Sequence, residues 1–71
     1  MSYWQKMFGK KLRELRKARG LTQGELADLA AIHKNYVSDC ENGRRNISLE
    51  NILALSRALK VKPGELLDHL V

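Results

Sequence analysis

With one cysteine, one proline and no apolar run near the roughly 20 residues that cross a bilayer, this 71-residue chain excludes several classes of protein at once. A lone Cys40 closes no internal disulfide, and with only two histidines there is no Cys/His cluster to staple so small a domain with metal. Helix packing alone has to hold the fold. The N-terminus MSYWQKMFGKK lacks the apolar stretch of a secretory signal. A cytoplasmic protein, with no membrane contact, is therefore expected. A chain of this length buries only about 60% of the surface that its unfolded form exposes, which fits one domain over 1–71 and leaves little room for an enclosed active site.

Acidic residues are also in the minority: 13 Lys and Arg against 8 Asp and Glu give a formal charge of +5, and the pI is near 9.7. The excess favours a polyanionic partner such as nucleic acid. Solubility alone also accounts for the charge of many small basic domains, so charge by itself is weak ground.

What is present is helical periodicity without an alternating strand pattern. Ser2 is a cap for a first helix, in which Trp4, Phe8, Leu12 and Leu15 recur at spacings of three and four. The helix should stop at Gly20, with Lys17 and Arg19 suiting the negative end of its dipole. Thr22-Gln23-Gly24-Glu25 reads as a capping box that opens a second helix, its apolar contacts supplied by Leu26, Ala27, Leu29 and Ala30. A turn at Ala31 to His33 leads to a third helix over about Lys34–Asn42, with Gly43 as its stop. After the polar loop Arg44-Arg45-Asn46, Ser48 caps a fourth helix with apolar Leu49, Ile52, Leu53, Leu55 and Leu59. Pro63 marks the first turn of a fifth, running over about 63–71 and ending in Leu66, Leu67, Leu70 and Val71. No repeats or linkers divide the chain.

The third helix carries an unusual outer face. At 100° per residue Tyr36, Val37 and Cys40 gather on one side, while Lys34, Asn35, Ser38, Asp39 and Asn42 fill the other. Long, flexible Lys and Glu would serve for mere solvation; short or fork-like donors and acceptors suit recognition better. Cys40 reads as a small core residue, because nothing basic lies one turn away on its face to activate it.

The stretch TQGELADLAAIHKNYVSDCENGRRNISLENILALSRALKVKPGELL resembles the helix-turn-helix domain of phage repressor, Cro and Xre-type transcription regulators, over about Phe8 to Leu67. RRNISLENI is especially similar to restriction–modification controller proteins. The resemblance implies an all-α, compact five-helix, lambda-repressor-like DNA-binding domain, with the motif at about 22–42 formed by helices 2 and 3. Two positions depart from the family pattern: Ala31 stands where glycine is common in the turn, and Cys40 where an aliphatic residue is common. Alanine in a left-handed turn costs about 1 kcal/mol or more.

In such a motif the third helix enters the major groove with its N-terminal residues at base edges. Lys34, Asn35, Ser38 and Asp39 would then read bases: lysine donates to guanine, asparagine pairs with adenine, aspartate accepts from cytosine and serine serves several. Asp39 alternatively repels phosphate or orients Lys34. Tyr36, at the border of the two faces, is either core or a base contact, and tyrosine at the matching position of controllers suggests the latter. Gln23 is implied as a phosphate contact at the second helix N-terminus. Arg44, Arg45 and Asn46 are placed to reach phosphates or the minor groove. His33 is expected to help cap the third helix, with phosphate contact as the alternative. The basic residues from Lys6 to Arg19 read mainly as a solvated face. Relatives imply that Arg16 pairs with Glu41 in a structural salt bridge.

Dimerisation would double the reading surface over two half-sites about 34 Å apart, and Leu66, Leu67, Leu70 and Val71 are the expected interface, with part of that face alternatively closing the monomer's own core. The reading is thus a homodimeric transcription regulator of double-stranded DNA at a palindromic operator, with RNA polymerase as a further candidate partner. No cofactor, metal or small-molecule effector pocket is evident, and regulation through protein concentration is expected. An antitoxin-type interaction module, binding DNA only secondarily, is the alternative. Catalysis is not expected: His33 and Cys40 are roughly 10 Å apart along a helix, and no carboxylate pair or phosphate-binding glycine loop is present.

Overall fold

The computed structural model describes residues 3–70. Its elements are α1 (Tyr3–Ala18), α2 (Gln23–Ala30), α3 (Lys34–Glu41), α4 (Leu49–Leu59) and α5 (Pro63–Leu67), followed by a 3₁₀ turn at Asp68–Leu70. There is no strand among the described residues. The expected cap at Ser2 and the interface residue Val71 lie outside them. The last helix is shorter than the 63–71 span expected, since its final turn tightens into the 3₁₀ form.

The starts of α2 and α4 follow from side-chain caps. Thr22 and Glu25 form the reciprocal capping box of α2, with Glu25 N donating to Thr22 Oγ1 at 3.0 Å and Thr22 N donating to Glu25 Oε1 at 2.8 Å. Ser48 accepts from Asn51 N at 3.1 Å to open α4. The ends share one device. The amides of Leu21, Ile32, Arg44 and Val61 reach back five residues to the carbonyls of Arg16, Ala27, Asp39 and Ser56, at 3.2, 3.0, 2.9 and 3.0 Å. In each case the residue before the donor is left-handed. Gly20 and Gly43 fill two of these positions, and Ala31 (φ 59°) and Lys60 (φ 58°) fill the others.

One core runs through all five helices: Phe8 and Leu12 of α1, Leu26, Ala27 and Ala30 of α2, Val37 and Cys40 of α3, Ile52, Leu55 and Leu59 of α4 and Leu66 of α5, with Ile47 from the loop. Four residues assigned to helix packing from periodicity fall outside it: Trp4, which is 38% exposed, Leu53, which is half-buried, and Leu29 and Leu49. Leu29 is 61% exposed and Leu49 is 67% exposed. Leu29 and Leu49 each sit near a helix end.

The tightest packing is between α1 and α3. A Cβ on Gly9 would stand 2.7 Å from the Glu41 carbonyl oxygen, and closer still to that of Cys40. Backbone lies on both sides of this contact, so neither helix can yield locally. Helix propensity alone favours alanine over glycine by about 1 kcal/mol. Gly9→Ala is nevertheless expected to destabilise by about 2 kcal/mol through overpacking, measured by urea denaturation. A gain in stability would contradict the close crossing.

Candidate nucleic-acid interface

The C-terminal turn of α3 carries Glu41, whose side chain is only 2% exposed. A carboxylate there is disfavoured by burial and by the helix dipole, and has to be paired. Arg16 of α1 supplies the pair: Nε donates to Oε2 at 2.6 Å and Nη2 to Oε1 at 3.0 Å, a two-pronged contact. Its third nitrogen, Nη1, donates to the Leu21 carbonyl at 2.8 Å, in the loop before α2. The hydrogen bond to Glu41 raises the arginine pKa further above its ordinary value, against the lowering effect of burial. Gln23, the first residue of α2, adds a bond from Nε2 to Glu41 Oε1 at 3.0 Å. One carboxylate thus gathers α1, α2 and α3.

Gln23 thereby has a structural role beside the phosphate contact expected of it. A carboxylate only accepts, so the glutamine turns its NH₂ inward. One of the two N–H donors of that amide is used in this way in the free protein, which leaves the other for a phosphate. Truncating the guanidinium should strand Glu41: Arg16→Met is expected to lose about 3 kcal/mol in chemical denaturation, and a loss below about 0.5 kcal/mol, the ordinary range for surface changes, would contradict the role given to the pair.

With α3 tethered at its end, its rotation is set. Val37 and Cys40 point into the core. Burial pushes the Cys40 thiol up to about 12, Asp39 and Glu41 acting in the same direction and Arg45 against it. It is an inert packing group. Lys34 and Asn35 are exposed, while Ser38 and Asp39 are half-buried on the helix flank. Tyr36 is half-buried and packs against the core with part of its surface still open. His33 occupies the N-cap position but makes no side-chain capping bond, contrary to the expected role; it is exposed instead. Asn42 donates from Nδ2 to the Ser38 carbonyl at 2.9 Å, closing the helix rather than extending the outer face.

The loop after α3 divides in two directions. Arg44 is exposed. Arg45 folds back, its guanidinium 4.6 Å from the centroid of the Tyr36 ring and its Nη2 3.6 Å from Asp39 Oδ2. Asp39 therefore orients Arg45, not Lys34. Asn46 accepts a hydrogen bond from Gln5 Nε2, which ties the loop to α1. A shallow groove of about 590 Å³ follows α3, lined by Ile32, His33, Asn35, Tyr36, Arg45 and Asn51. Asn51 was not legible as a site residue, because in sequence it is simply a polar position in the first turn of α4.

The C-terminal leucines do not form the exposed face expected of them. Leu66 is 0% exposed and closes the chain's own core, so it does not offer the exposed surface that an interface residue needs. Leu67 and Leu70 are half-buried against the same core. No helix among the described residues is long and apolar enough to cross a membrane.

Two short helices joined by a left-handed turn at Ala31, the second locked at its end and presenting a polar face, define a helix-turn-helix domain. A family model described as helix-turn-helix matches residues 12–66, and the chain belongs to that family of DNA-binding regulators. It is 44% identical over 63 residues to control protein C.BamHI of Bacillus amyloliquefaciens, covering 87% of this chain and 78% of that protein. The immunity repressor protein of Bacillus phage phi105 is 37% identical over 54 residues, which span 76% of this chain and 38% of the repressor. Among solved structures, the restriction-modification controller protein C.AhdI of Aeromonas hydrophila superimposes with a TM-score of 0.86 at 50% identity, over 87% of this chain and 94% of that one.

Proposed function

We propose that this protein is a sequence-specific transcription regulator that binds a palindromic operator in double-stranded DNA as a homodimer, in the manner of a restriction–modification controller. The observation that carries the reading is the locked α3, whose first two residues, Lys34 and Asn35, stand exposed where a major-groove helix presents its base-reading side chains. Tyr36, Ser38 and Asp39 complete the reading face, Asp39 through its arginine partner. Arg44 and His33 are exposed at the two ends of α3, suited to phosphates. The unbonded backbone donors at the α2 N-terminus offer an anion site beside Gln23, and the Arg45–Asn46 segment lies along the edge of the groove.

One protomer measures 27 × 22 × 21 Å. A single short helix reads too few base pairs to select a genomic site. Two protomers of these dimensions in contact can hold equivalent helices about 34 Å apart, one turn of DNA. Leu67 and Leu70 supply the self-contact with the faces they leave open. The burial of Leu66 shrinks the apolar C-terminus for self-association and for a separate protein partner alike, so co-purification of a stoichiometric partner, not this face, is what would favour the antitoxin reading. RNA polymerase is a further candidate partner of the promoter-bound dimer.

Selection from a random double-stranded DNA library by purified protein, at about 150 mM salt where purely electrostatic binding is weak, tests this reading. A two-fold symmetric motif with half-sites about one turn apart is the expected outcome. Recovery of unrelated sequences with salt-sensitive affinity would contradict it.

A further inference from the structure

Arg45 lies two residues beyond Gly43, the stop of α3, in a polar loop, and its side chain folds back onto the helix. Its guanidinium rests 4.6 Å from the Tyr36 ring centroid, and the same group stands 3.6 Å from the carboxylate of Asp39. Tyr36 and Asp39 are three residues apart on α3, so one turn of the reading helix supplies both a stacking face and a counter-charge. The side chains of Arg45 and Asp39 are 46% and 38% exposed, and in water either contact alone is weak. Together they define one position for the guanidinium, over the groove that Asn35 and Asn51 also line.

We propose that Asp39 is a positioning residue that acts through Arg45: it holds the guanidinium on the Tyr36 ring, withholds it from phosphates of arbitrary DNA, and so widens the gap between operator and non-operator affinity. The proposal rests on the DNA-binding reading of the same face. A free arginine near a duplex gains affinity on any sequence by releasing counterions. An arginine paired with a carboxylate has to give up that pair first, and gains correspondingly less. On the operator no such exchange is needed, because the guanidinium is already placed beside the reading residues. Asp39 is thus set to discriminate against wrong DNA without touching a base.

The test is a double-mutant cycle of Asp39→Asn and Arg45→Gln, read by fluorescence anisotropy on a mixed-sequence duplex and on the duplex recovered by selection. Asp39→Asn should bind the mixed duplex about threefold to tenfold more tightly at about 150 mM salt, with the slope of log K against log salt steeper by about 0.9, the value of one phosphate gained. The ratio of operator to mixed-duplex affinity should fall by a similar factor. In the Arg45→Gln background, Asp39→Asn should change mixed-duplex affinity by less than about twofold, the residual expected of a general charge effect. Asp28→Asn, which removes an exposed carboxylate from α2, should leave the slope unchanged and so controls for net charge. In the free protein, Tyr36 should shift the NMR signals of the Arg45 side-chain protons upfield, and Asp39→Asn should reduce that shift.

An Asp39→Asn effect of equal size with and without Arg45 would overturn the proposal, since the carboxylate would then act on DNA directly. Undiminished Arg45 proton shifts in Asp39→Asn would overturn it as well. Wild-type protein that binds neither duplex even at about 50 mM salt, where phosphate contacts are strong, would overturn the DNA-binding reading and this proposal with it. Loss of the cycle's coupling with wild-type binding intact would overturn the proposal alone.

Discussion

The carboxylate of Glu41 is the constraint on which the outer face of α3, the proposed reading face, depends. Buried at the end of α3, it is met by two nitrogens of Arg16 and by the amide of Gln23. Arg16 in turn holds the carbonyl of Leu21, in the loop that leads into α2. Hydrophobic contacts alone would let a helix of eight residues roll, because Val37 and Cys40 are small and their packing is not strongly directional. Directional, charge-assisted bonds to two other helices remove that freedom. The contact of Gly9 with the backbone of residues 40 and 41 fixes the depth of the same end. Rotation and depth together decide which side chains of α3 face outward, and so which can meet a base.

The free end of the same helix is treated differently. Its N-terminus has no side-chain cap, and Lys34 and Asn35 lie exposed there. A helix held at one end and open at the other suits insertion into a groove. The flank is stiffened instead by Arg45 lying on Tyr36 beside Asp39. Core and proposed reading surface therefore share residues: Tyr36 packs against the core and offers its ring to the loop, while Asp39 is both part of the polar arc and the counter-charge of an arginine. Substitutions on this face will affect order and recognition together.

Much of the fold was legible because its signals are local. The capping box at Thr22–Glu25, the cap at Ser48, the stops at Gly20 and Gly43 and the proline of α5 each act within a few residues. The left-handed turn at Ala31 was expected from a family resemblance, but the one at Lys60 was not. It carries no glycine, and is imposed by the closure of α4 on Ser56. The exposure of Leu29 and Leu49 was hidden because periodicity marks a helix face without showing what packs on it. Leu66 illustrates the same limit: a terminal leucine can close its own core or a partner's, and only packing decides. The inward turn of Gln23 and the partnership of Asp39 with Arg45 join residues through geometry that no spacing rule encodes.

The most direct test of the claim that the locked α3 is the DNA-reading surface is an amide NMR titration of the protein with a double-stranded oligonucleotide recovered by selection. The largest changes should fall on Lys34 to Asp39, on Arg44 to Asn46 and on the first turn of α2. The amides of α5 and of the middle of α1 should move little. Changes concentrated on α1 and α5, with the α3 amides still, would contradict the account.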